Sequence, residues 1–303
     1  MAIDYNNMVQ HVSIEDIRNR LETNPEPEIV KEIREKILES SKMLRFEEEA
    51  HKYFIPNGKG GEKEIISVSG FVDTFVPEVD WDSIRMNKAL KLGVEDDFLK
   101  EQWLYNQISA TNAGTVTHNY CENLGNLMIY GDESVLTDQF KPQFEKGYLL
   151  PASIKQEAGR DVLEYLFSLP NIYIVLTETR VITSAYAGTF DLLVYQHDKN
   201  DPDNPERNGL KLLDYKTNVS LYNEFNQSND NFMLAPFNAL IDEAYGHYVV
   251  QQSAYQVGLE RIGLRVLNRS LIHLRDANGV AEYEFVNLPD VTGDIKTILE
   301  NQK

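Results

Sequence analysis

Short apolar runs separated by polar turns fill the second half of the chain. Two of these runs, at 191–194 and 210–213, follow closely after Gly188 and Gly209. Apolar runs of this length between turn residues are typical of strands buried in a sheet. The segment between them, 197–209, is rich in Asp, Asn and Pro, so we expect it to form a solvated hairpin loop.

Apolar residues at helical spacing predict helices elsewhere in the chain. Ser13 is typical of a helix start. A second helix is expected to pack an apolar stripe against the core, and its residues are Ile29, Ile33, Ile37 and Leu38. The segment 81–113 is predicted to be helical with a break near Gly93.

A further amphipathic helix is predicted at 153–169, with Ser153 as its N-cap and Pro170 after its end. Two apolar stretches, 173–177 and 179–183, flank Glu178 and predict the first strand of the core. We therefore expect an α/β fold in which a central mixed β-sheet is flanked by helices, with added amino-terminal helices and a β-hairpin.

Each of the two apolar runs carries an acidic residue where burial normally excludes one. Asp191 begins the first run, and Asp214 directly follows the second. An ionised carboxylate there is costly to desolvate unless a cation or hydrogen-bond donors compensate it. Because side chains alternate along a strand, Asp214 and Lys216 lie on the same face. Two acids and one ammonium can therefore meet at one site, which suits a divalent metal and a negatively charged transition state.

This Asp…Asp-x-Lys arrangement resembles the PD-(D/E)xK nuclease superfamily, whose members cleave phosphodiester bonds in DNA with magnesium or manganese. Two further segments resemble its RecB-like and lambda-exonuclease-like branch. In the first, at 114–122, a glycine-led helix presents His118 as an additional metal ligand. In the second, Gln251 and Tyr255 match a Gln-x-x-x-Tyr helix motif that follows the lysine strand. The resemblance implies a restriction-endonuclease-like core.

The resemblance extends to two hairpins outside the site. The segment 46–53, which includes His51, leads through a turn at 57–61 to 65–69 and is similar to the opening hairpin of phage-type members. The segment 270–286 is similar to their terminal hairpin. Similarity therefore covers roughly residues 44–288.

This coverage predicts how the chain is divided. Residues 1–43 are expected to form a helical extension, and residues 44–303 the nuclease domain. Within that domain, about 75–110 is expected to be a helical insertion.

For the metal, the resemblance implies Mg²⁺ or Mn²⁺ held by His118, Asp191, Asp214 and the main-chain carbonyl of Tyr215. An imidazole ligand favours manganese somewhat. The alternative for His118 is an ordinary helix histidine.

The other site residues are expected to act around that metal. Lys216 would either orient or deprotonate the attacking water, or stabilise the developing charge on phosphorus. Glu178 is either a further acid of the site or a residue of the strand edge. Glu122, one helical turn after His118, could orient it. Gln251 and Tyr255 are expected near the scissile phosphate, and the alternative for them is a polar pair in the core.

Composition agrees with a cytoplasmic protein. The chain of 303 residues has 42% hydrophobic residues and lacks an apolar run near the roughly 20 residues of a membrane span, so no membrane association is expected. The segment 1–7 lacks the features of a secretion signal. A single cysteine, Cys121, excludes an internal disulfide and the four-thiolate iron–sulfur cluster of some RecB-like nucleases. We expect the cytoplasm of a bacterial or phage-infected cell.

The net charge of −19 is the main objection to nucleic-acid binding, because lysines and arginines supply most non-specific affinity for phosphates. Local patches still decide contact. The segment 261–275 has four arginines and no acid, and from it we expect nucleic-acid contacts by Arg261, Arg265 and Arg269. The segment 31–45, in which acids and bases alternate at helical spacing, is either a second basic patch or a solvated helix face.

The sequence therefore predicts a metal-dependent deoxyribonuclease, an exonuclease acting on linear duplex or single-stranded DNA in recombination, repair or phage DNA metabolism. A homo-oligomer and a recombination or phage replication partner protein are consistent with this. Two alternatives stay open: a catalytically inactive nuclease-fold protein that binds or regulates, and a nuclease that acts on RNA.

Overall fold

The computed structural model describes residues 11–47, 50, 52–58 and 60–301. Two of the sequence features discussed above, the amino-terminal segment 1–7 and His51 of the opening hairpin, lie outside the described residues.

Nine helices and ten strands are found in the described part of the chain, together with two short 3₁₀ helices. The helices are α1 Ile14–Thr23, α2 Glu28–Ser41, α3 Val68–Asp73, α4 Trp81–Leu92, α5 Asp96–Tyr130, α6 Ile154–Ser168, α7 Glu224–Ser228, α8 Ala244–Arg261 and α9 Thr292–Asn301. The strands are β1 Arg45–Glu47, β2 Lys52–Pro56, β3 Glu62–Ser67, β4 Phe144–Glu145, β5 Tyr148–Leu149, β6 Ile172–Ile182, β7 Tyr186–Gln196, β8 Gly209–Lys216, β9 Val266–Asp276 and β10 Ala281–Asn287.

A mixed sheet forms the centre of the molecule. Its strand order is β1-β2-β3-β7-β8-β9-β10, with β6 paired along β7. The β3–β7 and β8–β9 pairs are parallel, and the other pairs of this sheet are antiparallel. The predicted α/β class with a central mixed sheet is therefore confirmed.

Helices cover both faces of this sheet. Leu210 and Leu212 of β8 pack on one face in a core shared with α2, α3, α8 and α9. Leu213 and Tyr215 pack on the other face with α1, α5 and α6. Because both faces are buried, the strands read as continuous apolar runs rather than as an alternation of apolar and polar residues.

The predicted helix boundaries follow from local capping. Ser13 accepts the N–H of Asp16 in a capping box, and Ser153 accepts the N–H of Gln156 at the start of α6. Gly93 ends α4 in the left-handed conformation, with φ 67°, which glycine adopts without steric cost. The stripe of α2 is corrected in part: Ile33 and Ile37 are buried together with Val30, while Ile29 and Leu38 are exposed.

The helix that carries His118 differs from the expectation. Gly114 does not begin it, because α5 runs without interruption from Asp96 to Tyr130. The predicted insertion and the His118 motif therefore share one helix. In the described part of the chain, no helix is both long and apolar enough to cross a membrane.

Arg269 is a structural residue, which corrects its expected role as a nucleic-acid contact. It lies in β9 and is only 4% exposed. Its guanidinium donates to Gln256 Oε1 at 2.5 Å, to Asp290 Oδ1 at 3.2 Å and to the Pro289 carbonyl at 3.1 Å. The arginine therefore ties α8 to the segment after β10.

We expect Arg269→Ala to lower the free energy of unfolding by about 2–3 kcal/mol, because it leaves buried acceptors without their donor. Chemical denaturation monitored by circular dichroism measures this loss. Arg265→Ala, which removes an exposed arginine four residues away, is the control and should change stability by less than about 0.5 kcal/mol. Equal stability of the two variants would contradict the structural role.

Candidate metal and catalytic site

The site lies where β7 and β8 separate. β6 occupies one edge of β7, while β3 and β8 pair with its other edge at residues 186–187 and 192–196. Residues 188–191 lie between these two partners. Pairing of β7 with β8 ends at Leu192 and Leu213, and beyond it the N–H of Tyr215 donates to Asp191 Oδ2 at 2.7 Å. The Asp191 carboxylate thus accepts a β8 backbone N–H just beyond the last residue pair of β7 and β8.

Two further polar side chains lie close to Asp191. His118 Nδ1 lies 3.3 Å from Asp191 Oδ2 and 3.8 Å from Glu178 Oε1. The ligand atoms of all three residues lie within 4.8 Å of one another. His118 comes from α5, Glu178 from β6 and Asp191 from β7, so two adjacent strands and the helix above them build one group.

Glu178 reaches this group through an unusual backbone conformation. It has φ 41°, a left-handed value that non-glycine residues adopt rarely and at a cost of order 1–3 kcal/mol. Its neighbour Thr177 also faces α5, through a hydrogen bond to Asn126 Oδ1 at 3.0 Å. Regular strand geometry would turn two consecutive side chains to opposite faces. The positive φ lets both face α5, and it thereby brings Glu178 to His118 and Asp191.

The electrostatics show an excess of negative charge at this point. Burial and then the Asp191 charge raise the pKa of Glu178 to about 7. The same two causes, in the same order, raise the pKa of Asp214 to about 6. For His118 burial opposes the charged form, but Asp191 and then Glu178 outweigh it and raise the pKa to about 10. Three carboxylates crowded in this way favour a bound cation.

Two groups of His, Asp and Glu side chains in the described part of the chain could hold a metal ion. One is His118, Glu178 and Asp191. The other is His11, Asp161 and Glu164, in which Arg160 donates to Asp161 at 2.9 Å and the N–H of Val12 donates to Glu164 at 2.9 Å. Because a guanidinium already neutralises Asp161, the second group has less need of a cation than the first.

Asp214 lies outside both groups, and its expected role as a metal ligand stays a prediction. It is 2% exposed and forms an ion pair with Lys216, while Gln252 Nε2 donates to its Oδ1 at 2.8 Å. Glu178 joins His118 and Asp191 in the first group. The main-chain N–H of Tyr215 donates to Asp191, and the role of the Tyr215 carbonyl as a metal ligand stays a prediction.

Lys216 is surrounded by groups that stabilise an ammonium. Besides Asp214, Gln251 Oε1 lies 3.5 Å from its Nζ, and the centre of the Tyr248 ring lies 4.1 Å from it. Burial opposes the charge of Lys216, but Asp214 and then Asp191 outweigh it and raise its pKa. The carboxylate, the amide oxygen and the ring face all favour the charged form.

The two residues of the predicted Gln-x-x-x-Tyr motif have different environments. Gln251 contacts Lys216, whereas the buried Tyr255 ring packs against Gly188, where a Cβ atom would lie 2.7 Å from the ring. Sequence reasoning did not identify Gln252 and Tyr248. Spacing could have found them, because positions 248, 252 and 255 lie on one face of a helix.

Two other expectations concern the surroundings of His118 and the basic segments. His118 Nδ1 faces Glu178 and Asp191 rather than Glu122. The Glu122 charge instead raises the pKa of Glu178, and this effect is smaller than those of burial and of Asp191.

In the segment 31–45, carboxylates pair with the bases at 2.7–3.2 Å, in the pairs Lys31–Glu28, Arg34–Glu26 and Arg45–Glu62. This supports a solvated helix face over a basic patch.

Arg261 and Arg265 are both exposed but lie in different places. Arg261 donates to Ser184 Oγ at 3.3 Å, in the turn between β6 and β7. The N–H of Leu210 donates to the Arg265 carbonyl, so Arg265 lies beside the start of β8, whereas the site lies beside its end. Four residues of strand correspond to about 13 Å. Contact of the two arginines with nucleic acid stays a prediction, and for Arg265 it would lie away from the candidate site.

Neither a scan against models of known protein families nor a search of curated proteins returned a match for this chain.

Proposed function

We propose that this protein is a metal-dependent nuclease of the PD-(D/E)xK type that hydrolyses phosphodiester bonds in DNA. The observation that carries the proposal is the convergence of the His118, Glu178 and Asp191 group with the Asp214–Lys216 pair at the separation of β7 and β8. The Asp…Asp-x-Lys order of the sequence supports it. In this proposal, the central sheet with its two helical layers is a restriction-endonuclease-like core.

The donor set fits a divalent cation. Two carboxylates and one imidazole within 4.8 Å of one another suit Mg²⁺ or Mn²⁺, and the nitrogen donor favours Mn²⁺. His118, Glu178 and Asp191 would hold the ion. When bound, such an ion lowers the pKa of a bound water and neutralises charge on a phosphoryl oxygen.

The residues of the chain itself then have separate tasks. Lys216, as an ammonium, donates to an oxygen of the scissile phosphate and stabilises the charge that develops there. Asp214 and Gln251 hold the Nζ of Lys216 in place, and Gln252 in turn fixes the carboxylate of Asp214. Lys216 is therefore a source of positive charge rather than the base that deprotonates water.

An exonuclease that acts on linear DNA is the form of activity we propose. With Mg²⁺ or Mn²⁺, a linear duplex or a single strand should be degraded while a covalently closed circle survives. A chelator should stop the reaction. One gel with these substrates and an RNA of similar length tests this: prompt nicking of the circle would indicate an endonuclease, and degradation of the RNA alone would contradict the deoxyribonuclease.

A further inference from the structure

A lysine at the start of α6 lies beside the end of β8 without a carboxylate partner. Lys155 is the second residue of α6, and its Nζ donates to the Thr217 carbonyl at 2.6 Å. Thr217 directly follows Lys216. A cation in the first turn of a helix opposes the helix dipole at a cost of about 0.3–1 kcal/mol. Neither a carboxylate nor the dipole accounts for a lysine at this position.

An arginine lies in the corresponding position on the other side of the site. Arg180 follows Glu178 by two residues in β6, about 7 Å along the strand. It is exposed, and its guanidinium lies over the Phe46 ring at 5.2 Å. In the described part of the chain, no carboxylate forms an ion pair with Arg180 or Lys155. In a chain with 48 acidic and 29 basic residues, two cations that pair with none of the described carboxylates lie beside an acidic site.

The sheet places these two cations on opposite sides of the metal-binding group. β7, which carries Asp191, lies between β6 and β8. Arg180 belongs to the β6 side and Lys155 to the β8 side, and the two outer strands are about 10 Å apart. A chain with regularly spaced negative charges could contact both cations only by crossing the strands over the site.

The helix above the site adds no acidic side chain to this route between Gln102 and Cys121. A Cβ atom at Gly114 would lie 3.2 Å from Thr217 Oγ1, so α5 passes close to the end of β8. From Gln102 to Cys121 this helix contains no Asp, Glu, Lys or Arg. Its exposed residues therefore do not repel a polyanion that approaches the site.

We infer that Arg180 and Lys155 bind phosphates of the substrate on the two sides of the scissile phosphate, so that the nucleic-acid strand crosses the sheet from β6 to β8. The inference rests on the proposed function and names the residues that hold its substrate. It assigns this task to cations beside the site rather than to Arg265, which lies beside the start of β8. Both residues are positioning residues, because they act on phosphates next to the one that reacts.

Two measurements on the full chain test this. The first is the affinity for a fluorescent single-stranded oligonucleotide across a salt series, without added metal. The second is the rate of hydrolysis of bis(4-nitrophenyl) phosphate with Mn²⁺, a small diester that has no neighbouring phosphates. The variants are Arg180→Ala, Lys155→Ala, the conservative Arg180→Lys and Lys155→Arg, and Arg265→Ala as an exposed control.

We expect each alanine variant beside the site to weaken oligonucleotide binding about ten-fold and to reduce the slope of log affinity against log salt by about 0.7. The conservative variants should restore most of the affinity, and Arg265→Ala should weaken binding less than either alanine variant beside the site. Hydrolysis of the small diester should stay unchanged in Arg265→Ala, and every variant should melt at the wild-type temperature, which a general loss of structure would not allow.

Three results would overturn the inference: wild-type protein that does not bind the oligonucleotide, alanine variants that bind it as wild type does, or an equal loss in Arg265→Ala. Failure of the proposed function gives a different result, in which the oligonucleotide is bound through Arg180 and Lys155 but neither DNA nor the small diester is hydrolysed.

Discussion

Asp191→Asn should abolish metal binding at the site and reduce DNA cleavage by at least about 1000-fold. Asp191 is the residue that joins the parts of the site, because its carboxylate contacts both His118 and the N–H of Tyr215. Asparagine keeps the size of the side chain but removes the charge that the metal needs. A 1000-fold loss corresponds to about 4 kcal/mol of transition-state stabilisation, within the range that a catalytic metal supplies.

Calorimetric titration with Mn²⁺ and the rate of cleavage of linear DNA measure the two effects. The matched control is Asp161→Asn, which removes an acid from the His11, Asp161 and Glu164 group. That variant should bind Mn²⁺ at the main site and cleave DNA like wild type. If Asp161→Asn lost binding while Asp191→Asn retained it, the metal would belong to the other group and our site would be wrong.

Lys216→Ala should separate catalysis from metal binding. It removes the ammonium that would stabilise the transition state but leaves His118, Glu178 and Asp191 in place. We expect cleavage to fall by roughly 100-fold or more, as is usual when a key electrostatic group is removed, while Mn²⁺ still binds. The reaction rate at saturating DNA and the calorimetric titration together measure this difference.

Lys211→Ala is the control for Lys216→Ala, because it removes a lysine five residues earlier in the same strand. Its cleavage rate should equal that of wild type. Since Lys216→Ala leaves the buried Asp214 without its cation, its melting temperature should also be measured, so that unfolded protein is not counted as inactive. A folded Lys216→Ala variant that cleaves at the wild-type rate would refute the role of Lys216.

The strands and most helix boundaries could be predicted because local chemistry determines them. Ser13, Ser153 and Gly93 act at helix ends through their own hydrogen bonds or conformation. Asp191 and Asp214 were visible as acids within apolar runs, and Lys216 by its position two residues after Asp214. Each of these signals depends only on residues that are close together in the sequence, so it can be recognised without knowing the fold.

Contacts between distant segments were harder to predict. Glu178 lies beside His118 because its backbone has a positive φ. No residue type in that segment predicts this conformation. Arg269 is buried by Gln256 and the 289–290 segment, although the arginines around it appear as a basic patch in sequence. The resemblance implies Asp214 and the Tyr215 carbonyl as ligands, which stays a prediction, whereas the fold brings Glu178 to His118 and Asp191. The division of the chain at residue 43 stays a prediction, although α2 packs into the main core.

The initial rate of phosphodiester cleavage in linear DNA, measured across a titration with Mn²⁺, tests the central proposal most directly. The proposal predicts no cleavage in excess chelator, a rate that rises with Mn²⁺ and saturates, and restored activity when Mn²⁺ is added back to chelated protein. No cleavage at any Mn²⁺ or Mg²⁺ concentration by folded wild-type protein, or cleavage that persists unchanged in chelator, would contradict it.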